Sequence, residues 1–230
     1  MDFVPFPKIA RLSRDCTITE KIDGTNASIN IRLGEDPDTG KRFPFEFGLD
    51  TQVEDGGNTH FIRAGSRTRW LEHGGKGDNF GFGAWVCANA WHLVKLGEGT
   101  HFGEWWGLGI QRGYNQQRKR FSLFNTARWA PFAQSEPLVM EDKVVGSKTN
   151  YCAGLKEGQR YAPFCCDVVP VLYEGPFETA RVNQALHLLT FGSVAAPGFH
   201  QPEGVIVYHH ALNGYFKKTL VKDEAPKGQQ

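Results

Sequence analysis

Several things are scarce in this chain of 230 residues. It has no excess of charge: 26 lysines and arginines against 25 aspartates and glutamates leave a formal +1. Polyanions are therefore not held by bulk charge, and any contact with nucleic acid must be local. It has no cysteine framework. Cys16, Cys87, Cys152, Cys165 and Cys166 are odd in number and contain no Cys-x-x-Cys spacing, which excludes a disulfide scaffold and a thiolate zinc site and predicts thiols in a reducing compartment. The eight histidines are scattered without the spacing of a metal pair on a helix. No apolar run approaches the ~18 residues that a membrane helix needs. The start, Met1-Asp2-Phe3-Val4-Pro5-Phe6-Pro7, lacks the basic region and apolar stretch of a secretion signal. These absences predict a cytoplasmic protein without membrane contact.

What is abundant is aromatic. The 17 phenylalanines, 6 tryptophans and 6 tyrosines must largely fill core volume, and the length suits one domain over residues 1–230 around one core, with a frayed tail at about 225–230. From Thr17 to Leu33 the pattern predicts two extended segments around a tight loop at Asp23-Gly24-Thr25, with Ala27, Ile29, Ile31 and Leu33 on one face of the second. A turn over Gly34–Gly40 leads to alternating Phe43, Phe45 and Phe47, which read as its partner strand. Helices are predicted over about 79–96, with Asp78 as N-cap, and about 177–191, between Pro176 and Gly192. Strands are predicted over 101–106, 120–129, 161–173, 203–209 and 215–221. The class is α+β, with strands dominant.

Chemistry concentrates in Glu20-Lys21-Ile22-Asp23-Gly24-Thr25-Asn26. A lysine at the end of a strand, followed by a glycine loop, can act as a nucleophile only if burial or neighbouring cations disfavour its charged form. Gly24 permits close approach of backbone to a phosphate, while Thr25 and Asn26 add short polar groups.

The Lys-x-Asp-Gly pattern resembles the nucleotidylation site of the covalent nucleotidyltransferase superfamily of polynucleotide ligases and capping enzymes. Further matches follow in order: Gly65-Ser66-Arg67-Thr68-Arg69, Phe102-Gly103-Glu104-Trp105-Trp106-Gly107, Arg120-Phe121-Ser122-Leu123-Phe124-Asn125, Pro202-Glu203-Gly204-Val205-Ile206-Val207 and Phe216-Lys217-Lys218-Thr219. Together they span most of Thr17–Lys222. The spacing of Gly103-Glu104 before Gly107-x-Gly109-x-Gln111 is most similar to RNA ligases of the second phage type. With nine residues beyond Val221, the chain resembles the catalytic domain without the appended oligonucleotide-binding barrel.

The resemblance implies a nucleotidyltransferase fold, comparable to ATP-grasp-like ligases, in which antiparallel sheets and flanking helices surround a nucleotide cleft. It implies an ATP-dependent RNA ligase, acting as a monomer on RNA carrying 5′-phosphate and 3′-OH ends. Lys21 would attack the α-phosphate of ATP, the AMP would pass to the RNA 5′-phosphate, and the 3′-hydroxyl would displace it. The alternatives are a nucleotidyltransferase that adenylates or caps 5′ ends without sealing, and an inactive RNA-binding relative. Lys217 and Lys218 would neutralise phosphate charge. Glu203 would hold Mg2+ or Mn2+. Glu104 would accept hydrogen bonds from a ribose hydroxyl, and Arg67, ahead of Arg63 or Arg69, would meet ribose or phosphate. Phe121, with Phe124 as rival, would stack on adenine, and base preference would come from groups near Glu20 and Ile22. Asp23, Gly24 and Asn26 complete the nucleotide set.

The run Arg112, Arg118, Lys119 and Arg120 could guide an RNA backbone. Family members often separate the closing lysines by one residue. Here Lys217 and Lys218 are adjacent and must point to opposite faces of a strand, with Lys217 the first choice.

Overall fold

The computed structural model describes residues 2–6, 9–36, 38–132 and 155–221. The tail at 225–230, Cys152 and Lys222 lie outside these. Two compact units emerge where the length predicted a single core: residues up to Asp23 together with those from Val169, and Gly24–Val168.

In the first unit, strands β1 (Asp15–Lys21), β10 (Val171–Pro176), β11 (Gly204–His209) and β12 (Gly214–Thr219) form an antiparallel sheet in the order β10-β1-β11-β12. Helix α2 (Thr179–Thr190) lies within the predicted 177–191. Its buried Val182, Ala185 and Leu189 cluster with Cys16, Ile18, Val205 and Val207. The helix therefore covers one face of the sheet, because only alternate strand residues are apolar.

The second unit holds β2 (Thr25–Leu33), β3 (Asp50–Asp55), β4 (Asn58–Ser66), β5 (Gly99–Gly107), β6 (Lys119–Leu123) and β9 (Asp167–Val168). They form a six-stranded sheet in the order β3-β4-β2-β5-β6-β9, antiparallel except for β6 with β9. Strands β7 (Trp129–Ala130) and β8 (Arg160–Tyr161) pair separately. Helix α1 (Phe82–Leu93) packs its buried Phe82, Val86 and Leu93 with Ala27, Ile29, Ile62, Trp105 and Phe121. Each such large side chain contributes roughly 1.5–3 kcal/mol on burial.

Two local expectations are corrected. Phe43, Phe45 and Phe47 form no strand; Pro44 has no N–H to give a ladder, and Phe47 is 96% exposed. The partners of β2 are β4 and β5 instead, and the hairpin β3–β4 closes through Gly56-Gly57. Helix α1 begins at Phe82 rather than 79, because Asn79 and Phe80 both take positive φ (44° and 59°) and insert a turn. Asp78 still caps the helix from beyond that turn: its carboxylate accepts hydrogen bonds from the N–H groups of Gly83 and Ala84. The four described cysteines are free thiols. Among the described residues no helix is long and apolar enough to cross a membrane.

Candidate active site

Strand β1 separates two roles by alternation. Cys16, Ile18 and Glu20 share the face covered by α2, whereas Thr17, Thr19 and Lys21 share the other. Lys21 ends the strand, and its Nζ forms an ion pair with the Glu203 carboxylate; the two side chains are 22% and 16% exposed. Sequence reasoning expected cations as the neighbours of Lys21, and the structure supplies a carboxylate. Glu203 is steadied by its own carbonyl, which accepts from Leu220 N–H at 2.9 Å. The next residue, Gly204, lies between Lys21 and Thr219 in the register. A Cβ there would come within 2.2 Å of the Lys218 carbonyl oxygen, so this position must be glycine.

The two closing lysines part as alternation requires. Lys217 pairs with Ile206, which pairs with Thr19, placing Lys217 on the face of Lys21. Lys218 pairs with Val205 and donates to Asn183 Oδ1 of α2 at 3.2 Å. It belongs to the helix face.

The Glu20 side chain is turned into the protein, which leaves its backbone groups as the ones that could meet a base. It is 1% exposed and accepts from Ser193 Oγ at 2.5 Å and from the Val194 and Ala195 N–H groups at 2.8 Å. Burial pushes its carboxyl pKa up, opposed by those three hydrogen bonds. Ile22 is buried and Asp23 half-buried.

In the second unit, Asn26, Glu104 and Ser122 sit side by side across β2, β5 and β6. Gly24 N–H donates to Glu104 Oε1 at 3.1 Å, and a Cβ on Gly24 would lie 2.5 Å from the Trp105 carbonyl oxygen and 2.8 Å from Trp106 Cβ. The loop can approach β5 this closely only without a side chain. Thr25 Oγ1 donates to Asn79 Oδ1 at 3.2 Å.

The arginines also sort themselves. Arg63 is buried, with Nε and Nη2 each 2.8 Å from Asp50 and Nη2 3.0 Å from Glu46. Arg69 donates to the Gly77 carbonyl at 2.6 Å. Arg67 is exposed and has no ion pair or hydrogen bond among the described residues.

Phe121 is corrected as the base-stacking ring. It pairs with Trp105 and is wholly buried, 5.1 Å from Phe82 and 5.8 Å from Trp85 between ring centroids. The face of Glu104 carries Phe102 instead, which is 55% exposed. Half-buried Phe124, whose N–H donates to the Phe102 carbonyl, follows Leu123 just beyond the strand. Of the basic run, Arg120 is held by Asp167 at 2.6 and 2.7 Å and lies over Trp106. Lys119 donates to the Phe80 carbonyl, while Arg112 and Arg118 are exposed.

A profile of the RNA ligase family matches residues 14–222. The chain belongs to the RNA ligase family. A search of curated proteins finds no match. Among solved structures, an apo mutant of an RNA ligase from Naegleria gruberi is similar at 15% identity, over 90% of this chain and 50% of that one, with a TM-score of 0.42. This RNA ligase family member thus spans half the length of that protein.

Sequence reasoning missed the clasp on Glu20 and the Thr25–Asn79 contact in this RNA ligase family member. Their partners lie 173–175 and 54 residues away, and no local pattern encodes such separations. For a metal, the described residues contain no group of three or more His, Cys, Asp or Glu. Glu203, paired with Lys21, is a hard oxygen donor of the kind Mg2+ accepts beside phosphates and water.

Proposed function

We propose that this chain is an ATP-dependent RNA ligase whose nucleophile is Lys21. The observation that carries the reading is the Lys21–Glu203 pair at the end of β1, on the face that also bears Lys217. The Glu203 carboxylate gives the ammonium proton an acceptor, and the uncharged amine attacks the α-phosphorus. An N–P bond forms, the bond from the α-phosphorus to the bridging oxygen breaks, and pyrophosphate leaves. Lys217 neutralises oxygen charge developing in this displacement. An oxygen of the RNA 5′-phosphate then attacks the same phosphorus, the N–P bond breaks and the amine regains its proton. Finally the 3′-hydroxyl oxygen, giving its proton to water, bonds to the RNA 5′-phosphorus, the bond from that phosphorus to the oxygen bridging to AMP breaks, and AMP departs. Magnesium or manganese, held by Glu203 and phosphate oxygens, would add further neutralisation of phosphate charge.

Asn26 and Glu104 supply the sugar-binding face, with the Gly24 N–H fixing one Glu104 oxygen. Phe102 or Phe124 is the ring available to adenine, and Arg67 is an exposed guanidinium, unengaged among the described residues, that would meet ribose or phosphate. On this reading the two compact units work as one adenylyltransferase domain of the nucleotidyltransferase fold, in the cytoplasm and as a monomer.

The test is incubation with ATP labelled at the α-phosphate and a divalent ion. The chain should acquire an acid-labile label that Lys21→Ala removes completely; a label persisting in that variant rejects Lys21 as nucleophile. Transfer of AMP to 5′-phosphorylated RNA without a joined product, over nicked and single-stranded substrates, would replace sealing with end adenylation.

A further inference from the structure

The face that carries Lys21 and Lys217 continues away from them into three rings that the reaction does not use. Tyr208 of β11 and Tyr215 of β12 are direct cross-strand partners, with centroids 4.7 Å apart and planes at 35°. His210 lies 5.3 Å from Tyr208 at 41°. We propose that Tyr215, Tyr208 and His210 form a stacking platform for unpaired bases of the RNA substrate, with Lys217 beside it to meet the backbone. The proposal rests on the RNA ligase reading above and extends it to the RNA strand.

Exposure separates this from an ordinary hairpin pair. Tyr215 is 69% exposed although it contacts Tyr208, so most of its surface remains in water. The other two rings are fixed from below: Tyr208 Oη donates to Asn213 Oδ1 at 2.7 Å, and His210 Nε2 is hydrogen-bonded to Thr17 Oγ1 at 2.9 Å. Rings held this way lose little freedom when a flat ligand settles on them.

Charge and spacing favour a polynucleotide over the adenine of ATP. Lys217 is two residues from Tyr215 on the same face, about 7 Å along the strand, exposed and without an ion pair or hydrogen bond among the described residues. The tyrosine row is four residues, about 13 Å, from the row of Lys21, which places it beside nucleotides away from the attacked phosphorus. The carboxylate of this face at that level is Glu174, on the far side of Thr17. Stacking tolerates any base, so the platform would set affinity for single-stranded RNA rather than its sequence.

The experiment measures binding of a 5′-phosphorylated single-stranded RNA oligomer containing 2-aminopurine, without ATP, over a series of salt concentrations. Tyr215→Ala should weaken binding on the order of 5- to 150-fold and leave the salt slope unchanged, since no counterion-releasing contact is lost. Tyr215→Phe should bind like the natural chain. Should Tyr215→Ala prove misfolded by circular dichroism, Tyr215→Leu keeps apolar contact with Tyr208 without a planar ring and should show the same loss. Unchanged affinity in the folded variant, equal loss in Tyr215→Phe, or weakening of ATP binding instead of RNA binding would each overturn the platform. Failure of the natural chain to label itself with ATP would count against the ligase reading, while the binding series, which contains no ATP, would still decide the platform.

Discussion

Glu20 of the four-stranded unit and Asp50 of the six-stranded unit are each at most 3% exposed, yet their carboxyl pKa values move in opposite directions. Burial opposes ionisation in both. Around Glu20 it prevails, because the carboxylate meets only neutral dipoles: one hydroxyl and two N–H groups. Around Asp50 it is outweighed by the Arg63 hydrogen bonds, the Glu46 N–H and the charges of Arg63 and Arg32, so the group is held below its usual range. The cores differ in the same sense. The six-stranded unit buries Trp105, Phe82 and Phe121, whereas the smaller unit relies on aliphatic residues and Cys16. Partner chemistry, rather than depth, decides what a buried acid contributes.

The largest effect expected from disturbing this contrast is in the aromatic core. Phe121→Ala should destabilise the six-stranded unit by about 3–5 kcal/mol, read by urea unfolding with tryptophan fluorescence, which reports this unit because all six tryptophans fall within Gly24–Val168. Phe102→Ala should cost under about 1 kcal/mol in the same assay while weakening ATP binding. A Phe121→Ala chain as stable as the natural one, but deficient in nucleotide binding, would restore Phe121 as the stacking ring. Asp50→Asn comes next, at about 3 kcal/mol, because the buried Arg63 loses its fully buried carboxylate and keeps only the half-exposed Glu46. The sign of the pH dependence follows from the depressed pKa: the contribution of Asp50 is present above the ordinary carboxylate value near 4 and is lost as pH falls through the folded value. The variant should lose that acid limb.

Alternation made much of the fold legible. Strands β1, β2, β5, β11 and β12 fall close to where their apolar and β-branched residues placed them, and the opposite facing of Lys217 and Lys218 followed from adjacency alone. Beyond the Glu20 clasp and the Thr25–Asn79 contact, three features escaped. Strand β3, Asp50-Thr51-Gln52-Val53-Glu54-Asp55, is too polar to signal a strand, and its pairing is secured by the hairpin and the Arg63–Asp50 contact. In β6 the alternation was readable, but not which face meets α1, so the burial of Phe121 was not. The Lys21–Glu203 pair spans 182 residues; both residues stood out in their motifs, while their contact depends on β1 and β11 being neighbours.

That neighbour relation makes the closing lysines a smaller and more local probe of the first unit. Lys217→Ala should slow self-adenylation on the order of 100-fold, the scale of losing one positioned charge donor in the transition state. Lys218→Ala, which loses only the Asn183 hydrogen bond on the helix face, should stay within a few-fold. Equal losses in the two variants would mean that face assignment does not govern the chemistry, and stopped-time labelling with α-labelled ATP measures both.

Glu20→Gln should give the smallest change and the clearest contrast with Asp50→Asn. A glutamine can set its amide oxygen where the Val194 and Ala195 N–H groups point and turn its NH2 toward Ser193 Oγ, so that of the present hydrogen bonds only the Ser193 hydroxyl loses its acceptor. No buried cation is left behind. Because the folded carboxyl pKa is raised, the contribution of Glu20 is fully present below the unfolded value near 4.3 and is lost as pH rises through the folded value. The variant should therefore match the natural chain within about 1 kcal/mol at neutral pH and show less loss of stability between pH 4 and neutrality. Hydrogen exchange of Asp15–Lys21 reads this unit separately from the tryptophan-bearing one. A loss as large as that of Asp50→Asn would show that Glu20 needs its negative charge, and the dipole account of its burial would fail.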